Sequence, residues 1–204
     1  MKKLNTEKLE IAEQVESKQE VFWGISDALW SYAELGLEEY RSSQLLADTL
    51  EEVGFKVERG VAGMPTAFVA SWSNGTGKPV VGLLAEYDAL PMLSQKAGIA
   101  GQEPVVTGAP GHGCGHNTMG AMQALTAITM QEIARKKNLN CTLKYFGCPA
   151  EEMLISRPYM IRAGLYKDVD VVIDCHSSGD FSTSYGRAGA GMFSFIVSFK
   201  GKTA

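Results

Sequence analysis

Four short stretches of this chain carry side chains that can hold a metal ion or move a proton. Glu86-Tyr87-Asp88 ends the apolar run Val80 to Ala85. Two carboxylates leaving a buried strand must be solvated, paired or coordinated, because an unpaired buried charge costs several kcal/mol. Gly111-His112-Gly113-Cys114-Gly115-His116-Asn117 sets a thiol and an imidazole between glycines, so both can approach one ion from a tight loop. A helix starting near Asn117 aims its positive end at the same place and is expected to keep Cys114 ionised. Pro149-Ala150-Glu151-Glu152 follows another apolar run. Adjacent carboxylates point in different directions, so one can ligate a metal while its neighbour takes a proton from water, the pairing that metal-assisted hydrolysis requires. Asp174-Cys175-His176 closes a further apolar run. Each stretch alone has a plain explanation as a solvated acidic loop, a spare thiol or a hydrogen-bonded structural histidine. Cys114 beside His112 or His116 also has the makings of a thiol nucleophile and its base. Four such places at four strand ends point instead to one metal-binding constellation.

Elements that alternate between strand and helix must position these residues. Apolar residues from Thr6 to Tyr32 recur at helical spacing through Ile11, Val15, Phe22, Ile25, Leu29 and Tyr32. A second helix is expected from about Glu38 to Val53, with Leu46, Leu50 and Val53 inward and Gly54 as its stop. Short strands are expected over Phe55 to Glu58 and Thr66 to Trp72, then a turn through Ser73 to Gly77. Val80 to Ala85 is apolar on both faces, as a central strand is. Gly98 to Gly115 has no periodicity and leads to a helix from about Asn117 to Lys137. Met122, Leu125, Ile128 and Ile133 should face inward there, with Gly120, Ala121, Ala124 and Ala127 allowing close packing on a sheet. A strand over Cys141 to Cys148, a helix over Ser156 to Ala163, a buried strand over Val169 to Cys175 and a strand over Met192 to Lys200 complete the pattern. Such an order implies a layered α/β sheet with its chemistry in loops at the strand C-terminal ends.

Composition sets the outer bounds. The hydrophobic fraction is 45% and the charged fraction 21%, with a net charge of -4, which supplies a core but no basic field for nucleic acid or an anionic membrane. No window approaches the ~20 apolar residues of a membrane span, and the N-terminal residues lack the apolar stretch of a signal peptide, so a cytoplasmic protein is expected. Cys141, Cys148 and Cys175 lie in strand-like runs and are expected to be reduced core residues.

The motifs resemble those of the aminoacylase and glutamate carboxypeptidase superfamily of dinuclear metallohydrolases, in the branch of indoleacetyl-amino-acid, hippurate and p-aminobenzoyl-glutamate hydrolases. Glu86-Tyr87-Asp88-Ala89-Leu90-Pro91, Gly111 to Asn117 and Pro149 to Glu152 carry the likeness. Ala33 to Glu39 and Gly63 to Ala67 extend it over nearly the whole chain from about residue 24. Within the branch, Gly-His-Gly-Cys-Gly-His-Asn and Gly-Cys-Pro-Ala-Glu-Glu are most similar to the p-aminobenzoyl-glutamate hydrolase type.

The resemblance implies a three-layer α/β/α catalytic domain with a mostly parallel mixed sheet, holding two divalent ions, Zn2+ or Mn2+. It implies Cys114, His116, Glu152 and His176 as ligands, Glu151 as general base and Asp88 as the residue that orients the site. It further implies amide hydrolysis of an N-acyl amino acid or small dipeptide, and pairing as a homodimer or with a related subunit. Residues 1–188 would then be the N-terminal part of the catalytic domain and 189–204 the first strand of a lid and dimerisation domain. On this reading the parent protein continues with a further histidine ligand, and the chain by itself has little activity. A non-catalytic partner module of the same fold is the alternative. It would have no need of a base at Glu151 beside a ligand at Glu152. Four departures bear on the pocket: Glu86 and Asn117 where aspartates are usual, Met153 to Arg157 where glycines often stand, and Ser177-Ser178-Gly179 after His176.

Overall fold

The structure, a computed structural model, describes residues 6–179 and 195–202. The N-terminal helical run divides into α1 (Thr6–Glu16) and α2 (Gln19–Tyr32). The break falls where the Lys18 N–H turns back to the Val15 carbonyl. Helix α1 buries no side chain and leaves Ile11 and Val15 exposed. It is tied to the body through Glu10, whose carboxylate pairs with Lys136 and Lys137. Helix α3 (Tyr40–Glu52) carries Leu46 and Leu50 fully inside and ends just before Gly54, as its spacing predicts.

Strands β1 (Lys56–Arg59), β2 (Phe68–Asn74), β3 (Val80–Ala85), β4 (Cys141–Gly147) and β5 (Val171–Ile173) form one mixed sheet in the order β1-β2-β4-β3-β5. β1 and β2 pair antiparallel, as do β2 and β4, whereas β3 runs parallel to both β4 and β5. Strand alternation divides the core into two layers. Phe68, Ala70, Leu143 and Tyr145 face α2, α3 and α4 (His116–Lys137). Val69 and Phe146 point the other way, onto Val61, Met64 and Met160 of α5 (Ser156–Arg162). Helices therefore cover both faces, which is the expected three-layer arrangement. Helix α4 crosses between the parallel strands β3 and β4, and its small residues Gly120, Ala121, Ala124 and Ala127 are all buried at that contact. A Cβ at Gly120 would lie 3.1 Å from the Glu86 carbonyl oxygen, so the helix sits directly on the segment that leaves β3.

Three expectations need correction. The last described strand is three residues long and half exposed rather than buried from Val169 to Cys175, because β5 has a neighbour on one side only among the described residues. Cys175 is accordingly exposed and Cys141 half-buried, and of the three expected core thiols Cys148 alone is enclosed; all are free. Within the expected strand over Met192 to Lys200, residues 192–194 lie outside the described residues, and 195–200 take no strand pairing.

Candidate metal centre

The parallel set β3, β4 and β5 brings three loop starts to one edge of the sheet, where ligands of open α/β sheets bind. Extended backbone after β3 sends Tyr87 to one side, where its hydroxyl donates to the Thr66 carbonyl at 2.6 Å. Glu86 and Asp88 go to the other side, 2% and 1% exposed. The Cys114 loop is pinned to this segment by reciprocal backbone hydrogen bonds between Leu90 and Gly111. A Cβ at Gly111 would meet the Leu93 carbonyl oxygen at 2.1 Å, so only glycine allows that approach. Gly115, at φ 79°, turns the chain into α4 at His116. It also packs against Ser177, whose hydroxyl donates to the Cys114 carbonyl at 3.2 Å. After β4, Ala150 stands at φ 52°, a left-handed position that costs a non-glycine residue energy and is held from outside. The holder is Glu39, fully buried, which accepts the Ala150 N–H at 2.7 Å and the Thr66 hydroxyl at 2.9 Å.

Hydrogen bonding settles the proton on each of two imidazoles. His116 Nδ1 lies 2.9 Å from Asp88 Oδ1 and 3.1 Å from the Asp88 carbonyl oxygen. Both atoms can only accept if the carboxylate is ionised, so Nδ1 carries hydrogen and Nε2 is the nitrogen turned inward, a lone-pair donor whenever the ring is neutral. His116 Nε2 is fully buried and has no hydrogen-bond partner. His176 Nδ1 likewise donates to the Ser177 carbonyl at 2.7 Å, and its Nε2 stands 3.3 Å from Cys114 Sγ. A carboxylate or carbonyl behind a histidine, with the other nitrogen turned toward the donor cluster, is the usual support of a metal-binding imidazole; here the His116 Nε2 is without a hydrogen bond and the His176 Nε2 is shared with the Cys114 thiol. The donor atoms of Cys114, His116 and His176 all lie within 4.8 Å of one another, as do those of Glu86, His116 and Glu151. Glu151 and Glu152 are both 3.9 Å from His116 Nε2, so distance alone does not divide ligand from base. Asp88 also reaches Glu152, accepting its N–H at 3.0 Å through Oδ2. The donor set of one thiol, two imidazoles and carboxylates fits a borderline divalent ion, and the orphaned buried atoms Glu86 Oε2, His116 Nε2 and Glu152 Oε1 are what such an ion would satisfy.

Electrostatics runs against the expected thiolate. Burial, then the charge of Glu152 and a hydrogen bond with it, and further Glu151 and Asp88, push the Cys114 thiol up to about 11. The start of α4 does not offset three carboxylates. A thiol so placed is no nucleophile at neutral pH, whereas a coordinated one is deprotonated outright. Burial also raises the Glu151 carboxyl, with Asp88 and Glu152 adding to the rise and His116 opposing it. At His116 burial works against the imidazolium, yet the hydrogen bond to Asp88 and the charges of Asp88, Glu152 and Glu151 outweigh it and the net shift is upward.

The sequence-predicted residues Asp88, Cys114, His116, Glu151, Glu152 and His176 thus meet at one place. Asp174 does not join them; it accepts its neighbour's Cys175 N–H at 2.8 Å and is exposed. His112 also stands apart, buried with its Nε2 donating to the Leu29 carbonyl at 3.0 Å. Two residues that sequence reasoning did not assign to the site are part of it. Glu39 is indistinguishable in sequence from its neighbour Glu38, and Arg157 stood out only as a departure, yet Arg157 pairs with Glu86 and lies 3.9 Å from Glu151.

Residues 82–197, more than half of the chain, match the family model described as peptidase family M20/M25/M40. The chain belongs to that family. It is 39% identical over 176 residues to the B subunit of p-aminobenzoyl-glutamate hydrolase from Escherichia coli, covering 85% of this chain and 36% of that protein. It is 34% identical to thermostable carboxypeptidase 1 of Saccharolobus solfataricus, covering 83% of this chain and 44% of that protein. The chain therefore spans less than half the length of these relatives. The fold agrees with the crystal structure of a dinuclear metal binding peptidase from the M20 family of Bacillus subtilis, at TM-score 0.65 and 19% identity, covering 81% of this chain and 44% of that one. Among the described residues no helix is long and apolar enough to cross a membrane.

Proposed function

We propose that this chain is the metal-binding part of a cytoplasmic hydrolase that cleaves the amide bond of an N-acyl amino acid, with a p-aminobenzoyl-glutamate-like compound or a small dipeptide as substrate. Two divalent ions, Zn2+ or Mn2+, would be held by Cys114, His116, Glu152 and His176. Bound there, they supply Lewis acidity and lower the pKa of a water. Asp88 keeps the His116 tautomer fixed and, through the Glu152 N–H, sets the orientation of the acidic pair. Glu151, its carboxyl raised by burial, takes the proton of the attacking water and hands it to the departing amine. Glu39 is a positioning residue that holds the strained turn before Glu151.

The observation that carries the reading is the bare, buried Nε2 of His116, backed by a carboxylate at Nδ1 and surrounded by a second histidine, a thiol and three glutamates. A module that only docked another protein would have no use for that arrangement. Residues 1–188 are read as part of the catalytic unit and 189–204 as the start of a lid and dimerisation unit, through which the protein pairs with itself or with a related subunit. The Escherichia coli relative is by its name one component of a larger hydrolase, which supports the second kind of pairing. Metal analysis of the full-length protein, with hydrolysis of N-aroyl-glutamates measured alongside, tests the proposal. About two ions per chain with release of free glutamate is the expected result. Two ions with no hydrolysis across a panel of acyl amino acids and dipeptides would leave a metal site and remove the enzyme.

A further inference from the structure

We infer that a cavity between the end of α2 and the loop leading to Cys114 binds a small aromatic carboxylate, at a place apart from the metal centre. The cavity measures about 450 Å³, and its walls include Trp30, Tyr32, Ser94, Val105, Val106 and Pro110. An apolar hole of about 150 Å³ already takes a benzene ring, so one ring with its substituent has room here. Val105 and Val106 are 64% and 59% exposed. Apolar side chains left open around a concave surface mark a place that a ligand covers, and aromatic walls favour an aromatic occupant. These walls are held before any ligand arrives. The Ser94 N–H donates to the Ala109 carbonyl at 3.0 Å, and the Ser94 hydroxyl accepts the Val106 N–H at 3.2 Å. Gln95 braces the same loop, donating to the Gly101 carbonyl at 2.9 Å and accepting the Glu103 N–H at 3.0 Å. A site whose shape is fixed in advance loses little on binding.

The charge of the occupant follows from Arg41. Its guanidinium lies over the Tyr32 ring, 3.8 Å from the centroid, and among the described residues it forms no ion pair. Glu34 does not neutralise it, because its two oxygens accept the N–H groups of Arg41 and Ser42 and the Ser42 hydroxyl. Stacking uses the face of a guanidinium and leaves its N–H groups, which lie in the plane, free to grip a carboxylate with two parallel bonds. In a chain of net charge -4, an uncommitted cation beside an aromatic cavity selects an anion that carries a ring. Gly111 lines the cavity and also makes the reciprocal bonds to Leu90 that pin the Cys114 loop, so the two sites share one wall. Hydrolysis of an N-aroyl amino acid releases an aromatic acid, which would make the ligand a product of the reaction proposed above. That link rests on the proposed function; the binding itself does not.

Isothermal titration calorimetry of the full-length protein with benzoate, and with benzamide as its neutral isostere, tests the inference. The parent should bind benzoate with a Kd below about 1 mM, an affinity within reach of a ligand of this size. It should bind benzamide at least about tenfold more weakly, the value of charge-assisted hydrogen bonds. Arg41→Gln should lose that preference and bind both compounds about as weakly as the parent binds benzamide. Val106→Glu, at an exposed position where folding is not at stake, puts a like charge into the cavity and should abolish benzoate binding. No benzoate binding by the parent, no preference for the acid, or benzoate binding unchanged in either variant overturns the inference. The metal content and the hydrolysis of N-aroyl-glutamates are measured separately, so the failure of one reading leaves the other standing.

Discussion

Asp88→Asn is the change that most directly tests how the site is held. Asp88 is almost fully buried and makes two hydrogen bonds through different oxygens, from His116 Nδ1 to Oδ1 at 2.9 Å and from the Glu152 N–H to Oδ2 at 3.0 Å. Asparagine has the same shape but only one oxygen. If that oxygen serves His116, the amide NH2 meets the Glu152 N–H, donor against donor. If it serves Glu152, the NH2 meets the His116 Nδ1–H and drives the ring toward the tautomer that cannot bind metal through Nε2. One buried, charge-assisted hydrogen bond is lost either way, about 1.5–3 kcal/mol. Taken from the metal-bound state, that loss corresponds to about 10- to 100-fold weaker binding. Zn2+ affinity measured by competition with a chromophoric chelator reads this number, and urea unfolding in the presence of a stronger chelator reads the part borne by the fold. A folded Asp88→Asn protein with the parent's Zn2+ affinity would refute the claim that Asp88 presents His116 to a metal.

Glu151→Gln in the full-length protein should lower amide hydrolysis by about 10²- to 10⁴-fold with the metal content unchanged, whereas Glu152→Gln should lose metal; the two measurements together separate base from ligand. Acid should destabilise the chain through His112. Burial, only partly offset by the hydrogen bond to the Leu29 carbonyl, lowers its pKa from 6.5 to about 4. The unfolded chain therefore binds a proton between those values that the folded chain does not. Stability is whole above about pH 6.5 and falls as the pH drops toward 4, by roughly 3 kcal/mol at most. His112→Asn should flatten that slope in urea titrations at pH 7.5 and 4.5. Gly120→Val should cost about 1–3 kcal/mol in the same assay, since its added atoms have the Glu86 carbonyl, Leu29 and Leu46 in the way.

Sequence alone determined most of the order of the elements and the family of hydrolases to which the chain belongs. Periodicity and punctuation are local, so α3, β3 and α4 fall within a few residues of where the apolar spacing puts them. Donors placed after strands were legible as candidates because parallel strands must deliver their C-terminal ends to one edge. What the chain could not show in one dimension is which side of each donor faces inward. The Asp88 contact that fixes the His116 tautomer spans 28 residues, and the Glu39 carboxylate that holds Ala150 reaches across 111. Cys114 shows the same limit in its protonation: a helix start nearby suggested a thiolate, and three carboxylates from two other loops reverse it. Charges act through space and burial rather than along the chain, so the state of each ligand was decided only when the loops came together.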